Sequence, residues 1–274
     1  MKNNFYKVTA PNGVVFYRNK MLDDIHFINH AFSTRIGGVS TGAYASLNLS
    51  KNPRFSEEEK LQNYRLFSEA IGINDAHMVL ADQVHDDKIH IATTTDCGKG
   101  LVKESDILNT DGFVTNEPGV ALVTFYADCT PVLIVDPVNR AIASVHSGWR
   151  GTLLQIAKKA VLKMQDVYGS NPEDLLCVTG PSIKQCHFEV GPEVYEQFYG
   201  VFGELAKENT IFKNDKCYID TDALNRYALT SVGVKEEHIQ MCPDCTVCNK
   251  DMLYSHRGDK GETGRMCAVI EIQK

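Results

Sequence analysis

The sequence lacks the features of membrane-spanning, secreted and nucleic-acid-binding proteins. No apolar run reaches the roughly 18 residues of a transmembrane helix, and residues 1–7 lack the apolar core of a signal peptide. No basic cluster is present, and the formal net charge is -7. We therefore expect a cytoplasmic protein with no nucleic-acid or membrane partner, which must hold any anionic substrate locally.

Two common nucleotide-binding motifs are also missing. The glycine-rich segment at residues 35–42 is not followed by Gly-Lys-Ser or Gly-Lys-Thr, and no Gly-x-Gly-x-x-Gly motif opens a βαβ unit. The segment still offers amide donors and a fork-shaped cation, which suit a phosphate group. Arg35, Gly37, Gly38 and the nearby Asn48 are therefore candidates for binding phosphate or substrate. A tight structural loop is the alternative interpretation.

The cysteines do not suggest a disulfide framework. They number nine, an odd count, and are scattered along 274 residues, which favours reduced thiols. A chain of this length with 43% hydrophobic residues can bury a large core. We predict a single domain over residues 1–274.

Strand and helix patterns alternate irregularly, as in an α/β or α+β protein. Three short apolar runs rich in β-branched residues predict buried strands of one sheet, at residues 120–126, 131–136 and 141–146. The spacing of apolar residues from 151 to 164 predicts a helix directly after the third strand. Further helices are predicted at residues 57–71, 192–199 and 221–232.

A cysteine and a histidine fall at the ends of two of these strands. Cys129 precedes the second strand, His146 closes the third, and His85 lies upstream of both. Together they would be three soft-to-borderline metal ligands with one open position, which is the ligand count of a catalytic zinc site. Taken singly, each also fits a buried core cysteine or an ordinary histidine.

Four charged residues are candidates for the surroundings of such a site. Asp128, next to the cysteine, would be costly to bury without a partner, so it favours a polar cavity or a metal over a dry core. Arg150 lies at the start of the predicted helix, where exposed amides favour anions. Arg257 and Arg265 belong to a glycine-punctuated loop that is either a solvated hairpin or a pocket gate.

Three further cysteines have the spacing of a metal knuckle: Cys242, Cys245 and Cys248. A closed zinc site needs four ligands, so Cys217, Cys267 or His256 would have to complete it. Reduced structural cysteines are the favoured interpretation.

Short motifs follow one another along nearly the whole chain. They include Ser33-Thr34-Arg35-Ile36-Gly37-Gly38, Gln83-Val84-His85, Thr110-Asp111-Gly112-Phe113, Ala127-Asp128-Cys129-Thr130-Pro131, His146-Ser147-Gly148-Trp149-Arg150-Gly151, Gly180-Pro181-Ser182 and Gly264-Arg265-Met266. In this order they resemble the motifs of the bacterial polyphenol oxidase or laccase-domain family. That family is now understood as purine nucleoside phosphorylases with accompanying adenosine deaminase and methylthioadenosine phosphorylase activity.

The resemblance implies a fold, a metal and a reaction. The fold is a single α/β domain with layered α/β/β/α mixed sheets, and zinc is held by His85, Cys129 and His146. Adenosine, inosine, guanosine and S-methyl-5'-thioadenosine would react with phosphate to give the free base and ribose 1-phosphate, and adenosine would also be deaminated to inosine. For deamination, zinc would lower the pKa of bound water toward about 7, with Asp128 or another carboxylate carrying the proton. We expect a monomer or a weak homo-oligomer.

Three alternatives remain open. Copper-dependent polyphenol oxidation matches the older family name, and copper competes well for these ligands. However, a multicopper cluster is built from His-x-His pairs, and none of the nine histidines forms one. A cysteine hydrolase would use Cys129 as a nucleophile activated by His146. A metal-stabilised binding protein would turn over no nucleoside.

Overall fold

Two six-stranded mixed sheets stack face to face in the computed structural model, which describes residues 4–52 and 55–273. The first three residues and the last residue of the predicted domain lie outside the described part of the chain. Buried side chains from both sheets form the core between them, among them Phe32, Leu122, Leu133 and Ile142. Removal of this apolar surface from water is the main force that holds the sheets together.

The first sheet is antiparallel except at one edge. In spatial order its strands are β1 (Phe5–Thr9), β2 (Val15–Asn19), β3 (Ile28–Ser33), β15 (Met266–Ile272), β7 (Ala121–Tyr126) and β4 (Met78–Leu80). The edge strand β4 runs parallel to β7.

The second sheet carries the hairpin on which the candidate site is built. In spatial order its strands are β14 (Ile239–Met241), β10 (Leu176–Thr179), β8 (Thr130–Asp136), β9 (Ala141–Ser147), β6 (Gly112–Thr115) and β5 (Ile89–Ile91). In the β8–β9 hairpin Pro131 lies opposite His146. The start of β8 and the end of β9 are therefore side by side.

The described residues also form a small antiparallel sheet and seven α-helices. The sheet consists of β11 (Glu189–Val190), β13 (Lys216–Ile219) and β12 (Thr210–Lys213). The helices are α1 (Lys20–Asp23), α2 (Glu57–Ile71), α3 (Trp149–Leu153), α4 (Ile156–Tyr168), α5 (Pro192–Phe202), α6 (Glu204–Glu208) and α7 (Thr221–Thr230).

Helices cover the outer faces of both large sheets. Tyr64 and Phe67 of α2 pack on the first sheet, and Ala160 and Met164 of α4 pack on the second. Helix α2 has clear end signals, because the Ser56 hydroxyl accepts a hydrogen bond from the Glu59 amide and Gly72 adopts a left-handed conformation. The predicted α/β/β/α layering is therefore confirmed.

The predicted elements agree with the observed ones to within three residues at their ends, except in two respects. The strand predicted at 120–126 lies in the first sheet, whereas the two that follow it pair in the second, so the prediction of one sheet is wrong. All three are buried on both faces, and burial of this kind does not distinguish one sheet from two stacked ones. The helix predicted at 151–164 is divided into α3 and α4 by Gln155, whose φ of 55° interrupts helical geometry.

No helix in the described ranges combines the length and the apolar character needed to cross a bilayer. All nine cysteines lie in the described part of the chain and are free thiols.

Candidate metal centre and active site

A cavity of about 600 Å³ opens where the chain passes between the two large sheets. The three residues between β7 and β8 make this passage, so Asp128 and Cys129 lie at the cavity wall. The lining comprises residues 50–52, 81–83, 125–130, His85, His146, Ser147, Trp149, Arg150, Ile183, Phe188, Thr221, His256, Arg257 and Arg265.

The predicted ligands His85, Cys129 and His146 converge in this cavity. Their ligand atoms all lie within 4.8 Å of one another, and the Cys129 Sγ is 3.9 Å from the His85 Nε2. His146 is buried at the end of β9, Cys129 is half-buried, and His85 is exposed on a loop after β4. The group is therefore open on one side, as a metal centre that admits a substrate must be.

Asp111, a fully buried residue, holds two of the three ligands in place. Its Oδ1 accepts hydrogen bonds from the His146 Nδ1 at 2.8 Å and from the His85 amide at 3.0 Å. Its Oδ2 accepts from the amides of Val84 and Asp86. Although burial raises the pKa of Asp111, the hydrogen bonds from His146 and these amides lower it below its ordinary value. The bond to Nδ1 leaves the His146 Nε2 for a metal.

The loop that carries His85 is held in an unusual conformation by these bonds. His85 has a φ of 65°, in the left-handed region that non-glycine residues seldom occupy. Three consecutive amides, of Val84, His85 and Asp86, point at the one carboxylate of Asp111. The backbone strain is thus offset by charge-assisted hydrogen bonds, and it turns the imidazole toward Cys129.

Cys129 and His146 shift each other's ionisation. Burial alone raises the pKa of the Cys129 thiol, but the charge of His146 and hydrogen bonds from both histidines lower it to about 6. Burial lowers the pKa of His146, but the Cys129 thiolate and Asp111 raise it to about 9. The site therefore favours the thiolate, which is the form of cysteine that binds zinc.

Gly148 lies against all three candidate ligands, and its lack of a side chain leaves room for them. A Cβ built on it would lie 3.0 Å from the His85 Cδ2, 3.1 Å from the Cys129 Sγ and 3.5 Å from the His146 Cε1. A Cβ here would be too close to His85 and Cys129 and in ordinary contact with His146. The donor set, the orienting carboxylate and this clearance all fit a single zinc ion.

Asp128 lies at the cavity wall, but its carboxylate is occupied by neighbouring loops. Its Oδ1 accepts from the hydroxyls of Thr246 and Ser255, at 2.5 and 2.6 Å, and its Oδ2 accepts from the Arg257 amide at 2.7 Å. Its own carbonyl accepts from the Ile183 amide. These bonds make Asp128 an anchor for the loops around the cavity, and its role in proton transfer stays a prediction.

The predicted phosphate candidates are divided between two places. Arg150 lines the cavity, whereas Arg35, Gly37, Gly38 and Asn48 are not among the lining residues. The Arg35 guanidinium donates to the carbonyls of residues 43, 45 and 250, and both glycine amides donate to the hydroxyl of residue 46.

These four residues stabilise the glycine-rich loop and its surroundings. The Asn48 side chain accepts hydrogen bonds from the amides of residues 50 and 265, and a Cβ on Gly37 would lie 2.4 Å from the Val14 Cα. This geometry matches the alternative interpretation of a tight structural loop. A phosphate role for them stays a prediction.

Three important residues were not assigned roles from the sequence. Asp111 belongs to the motif Thr110-Asp111-Gly112-Phe113. An acidic residue directly before a buried strand could have marked it as a candidate site residue. Gly148 lies between His146 and the helix start, where the close approach of three side chains has no sequence signature. Lys51 lines the cavity and donates to the Ala81 carbonyl, and burial lowers its pKa. Its position depends on the packing of distant segments.

The three cysteines with knuckle spacing, Cys242, Cys245 and Cys248, do not lie in one cluster. Cys242 is fully buried away from the other two, while Cys245 and Cys248 meet Cys186 and His187. The partners expected from the sequence, which were Cys217, Cys267 and His256, are not members of this group. The partners named for a knuckle were therefore wrong, since the residues beside Cys245 and Cys248 come from a loop about 60 residues upstream.

Proteins with curated names match most of the chain. It is 33% identical over 246 residues to "Purine nucleoside phosphorylase YlmD" of Bacillus subtilis (strain 168), covering 89% of this chain and 88% of that protein. It is 35% identical over 246 residues to "Purine nucleoside phosphorylase YfiH" of Escherichia coli (strain K12), covering 87% and 91%.

Solved structures and a family model agree with these relatives. A Bacillus licheniformis hypothetical protein YfiH superposes with a TM-score of 0.90 at 29% identity, over 99% of this chain and 100% of that one. YlmD from Geobacillus stearothermophilus gives a TM-score of 0.89 at 29% identity, over 94% and 96%. The sequence model of one protein family matches residues 29–273 of this chain. The chain therefore belongs to the family described as multi-copper polyphenol oxidoreductase laccase.

Proposed function

We propose that this protein is a purine nucleoside phosphorylase, which transfers the ribosyl group of a nucleoside from the base to inorganic phosphate. The observation that carries the proposal is one cavity that combines a three-ligand metal centre with four cationic side chains, those of Lys51, Arg150, Arg257 and Arg265. The names of the relatives that match about nine-tenths of the chain support it.

The metal centre fits one zinc ion held by His85, Cys129 and His146. Zinc bound there would supply Lewis acidity to the group that occupies its fourth position. The chain's own part is to keep Cys129 ionised, to fix the His146 tautomer through Asp111, and to hold His85 on its strained loop. Each of these arrangements is made by contacts within the chain itself, as in a preorganised site.

The cationic side chains are suited to hold phosphate beside the ribose. Phosphorolysis breaks the bond between the ribose C1' and the base nitrogen, and a phosphate oxygen forms the new bond to C1' while positive charge develops on the sugar. Arg150 is exposed at the start of α3, and its guanidinium stacks 4.2 Å above the Trp149 ring, which leaves its N–H groups for an anion. The bidentate geometry of arginine is well matched to phosphate oxygens.

The proposed substrates are adenosine, inosine, guanosine and S-methyl-5'-thioadenosine. A cavity of about 600 Å³ is large enough for a nucleoside with phosphate. We also propose hydrolytic deamination of adenosine to inosine at the same centre, since three ligands leave a fourth position for water.

A turnover assay tests this function. The purified protein is incubated with each nucleoside, with and without phosphate, and the free base and ribose 1-phosphate are separated by chromatography. Phosphate-dependent base release by the parent and by Cys97→Ser, together with its loss in Cys129→Ala, is the expected result. The absence of such release, or unchanged release by Cys129→Ala, would show that the proposal is wrong. Inosine formed from adenosine without phosphate is the separate signature of deamination.

Two further assays of the same purified protein distinguish the other candidate functions. Oxidation of a polyphenol that requires several coppers per chain would favour the copper enzyme. Turnover that survives chelation and is lost on alkylation of Cys129 would favour a cysteine hydrolase.

We further propose that residues 1–274 form one domain, that the protein is a monomer or a weak homo-oligomer, and that it works in the cytoplasm. The nine free thiols support a reducing compartment. Sedimentation of the purified protein tests its oligomeric state.

A further inference from the structure

Four potential metal ligands converge at a second place, outside the cavity lining. They are the sulfurs of Cys186, Cys245 and Cys248 and the Nδ1 of His187. The Cys186 and Cys248 sulfurs are 3.9 Å apart, and the histidine Nδ1 lies 3.1, 3.6 and 3.5 Å from the sulfurs of Cys186, Cys245 and Cys248, respectively.

Three of these four separations match the edges of a zinc tetrahedron. Zinc–sulfur bonds of about 2.3 Å and zinc–nitrogen bonds of about 2.0 to 2.1 Å give tetrahedral edges of about 3.8 Å between sulfurs and about 3.6 Å between sulfur and nitrogen. The observed 3.9, 3.5 and 3.6 Å fall within a few tenths of an ångström of these edges. The fourth separation, between the adjacent residues Cys186 and His187, is shorter, at 3.1 Å.

We propose that Cys186, His187, Cys245 and Cys248 bind a second zinc ion in a closed, structural site. Three thiolates and one imidazole fill all four positions of a tetrahedral zinc, so no position is left for a substrate. This distinguishes the group from the His85–Cys129–His146 centre, which has three ligands and faces the cavity. Cys186 and Cys248 are exposed, so a metal ion can reach the group from solvent.

The local backbone presents the ligands as two tight turns. The amides of His187 and Phe188 both donate to the Lys184 carbonyl, and this turn places Cys186 and His187 side by side. In the other loop the Asn249 amide and side chain both donate to the Cys245 carbonyl, which curls the Cys-x-x-Cys segment. The Cys245-x-x-Cys248 pair has the ligand spacing of a structural zinc site, and the other turn adds the adjacent pair Cys186 and His187.

The proposed ion would join two loops that line the active-site cavity. The first contributes Ile183 and Phe188 to the lining, and the second continues to His256 and Arg257. Outside the metal group, these loops are linked by the Arg257 guanidinium, which donates to the carbonyls of His187 and Glu189, and by backbone hydrogen bonds from Ser182 to residue 244 and from residue 246 to Ser182. A metal that crosslinks the loops would add to these contacts, and it would position this wall of the cavity without taking part in the reaction.

Metal analysis of purified protein tests the site without any activity measurement. Mass spectrometry of the parent should give about two zinc ions per chain, and Cys129→Ala and Cys248→Ser should each give about one. Cys97→Ser, which changes a half-buried cysteine elsewhere, should keep both ions. The proposal is overturned if Cys248→Ser keeps the parent's zinc content.

A second measurement leaves the proposed ligands intact. X-ray absorption of the zinc retained by Cys129→Ala should show three sulfur neighbours and one nitrogen neighbour, at the distances of a closed tetrahedral site. Zinc-free Cys129→Ala protein, or a disulfide between Cys186 and Cys248 in the freshly purified parent, would contradict the proposal. Because neither readout depends on nucleoside turnover, failure here and failure of the proposed function are separate results.

Discussion

The Asp111 Oδ1 lies 2.8 Å from the His146 Nδ1, and the same oxygen accepts the backbone amide of His85. One buried carboxylate therefore orients the imidazole of one candidate ligand and the backbone of another. Asp128, seventeen positions later and next to Cys129 in the chain, accepts hydrogen bonds from the loops that carry Thr246, Ser255 and Arg257. Two buried carboxylates thus organise the surroundings of the candidate metal centre.

Replacement of Asp111 by asparagine should weaken zinc binding at the His-Cys-His centre. The amide nitrogen of asparagine cannot accept the hydrogen bonds from Val84 and Asp86, and the neutral side chain stabilises the His146 tautomer less well. We expect a loss of about 10- to 100-fold in zinc affinity, the usual effect of removing the hydrogen-bond partner of a ligating histidine. Competition with a chromogenic chelator measures this loss.

Asp96→Asn is the matched control for that substitution. Asp96 is also buried and also pairs with a histidine, His90, at 3.1 Å, but it is not part of the cavity lining. The zinc affinity of the Asp96→Asn protein should equal that of the parent. An unchanged affinity in Asp111→Asn, or an equal loss in both variants, would refute the positioning role of Asp111.

The pKa of Cys129 predicts how its alkylation depends on pH after zinc is removed with a chelator. Because the neighbouring histidines lower this pKa to about 6, the thiolate fraction should rise through about pH 6 and be nearly complete at neutral pH. Below that range the thiol is protonated, and its reaction with iodoacetamide should slow. Peptide mass spectrometry after short pulses at a series of pH values reads the profile.

Cys97 serves as the internal reference in the same samples. Burial raises its pKa above the ordinary value, so its alkylation should increase only at alkaline pH. Added zinc should protect Cys129 and leave Cys97 unaffected. If the alkylation of the two cysteines depended on pH in the same way, Cys129 and His146 would not form a thiolate–imidazolium pair.

The strand pattern indicated that Cys129 and His146 could meet, because a short turn between two strands brings the start of one beside the end of the next, but spacing alone did not establish it. The sequence was not sufficient to predict how His85 joins them. That residue lies on a loop whose conformation depends on Asp111, 26 residues away in the chain. Hydrogen bonds between distant loops leave no periodic pattern in a sequence.

The same limit explains the second cysteine group and the sheet assignment. Cys245 and Cys248 have a recognisable spacing, but Cys186 and His187 come from a turn far upstream whose pairing is a tertiary event. Strand β7 is buried at all but one position and β8 and β9 are buried throughout, so its sequence does not indicate that residues 127–129 cross from one sheet to the other. The overall layering could be predicted from the family resemblance, whereas these individual contacts could not.

Gly148→Ala should impair the metal centre with little effect on the fold. The added methyl would lie 3.0 Å from the His85 ring and 3.1 Å from the Cys129 sulfur, so the ligands must move by a few tenths of an ångström. We expect a loss of about tenfold or more in zinc affinity, because ligand geometry around zinc tolerates only small deviations. Calorimetric titration of chelator-treated protein with zinc measures it.

Gly200→Ala is the control for the added methyl group. Gly200 is exposed in helix α5 and has no atom within 4 Å of its would-be Cβ. Its replacement should leave zinc affinity unchanged and stabilise the helix by up to about 1 kcal/mol. If Gly148→Ala binds zinc as tightly as Gly200→Ala does, then the clearance at position 148 is not required by the metal.

Arg150→Gln should raise the KM for phosphate more than the KM for the nucleoside. The Arg150 guanidinium is exposed and stacked on Trp149 at the rim of the cavity, and removal of one charge-assisted contact of about 1.4 kcal/mol corresponds to roughly a tenfold weaker interaction. Steady-state phosphorolysis at varied phosphate with saturating inosine, and at varied inosine with saturating phosphate, gives the two constants.

Arg140→Gln is the matched control, since Arg140 is also exposed and stacks 4.2 Å above an aromatic ring, that of Phe27, but lies outside the cavity lining. An equal change in both variants, or a change confined to the nucleoside KM, would remove Arg150 from the phosphate site. The remaining lining cations, Lys51, Arg257 and Arg265, would then be the next to test.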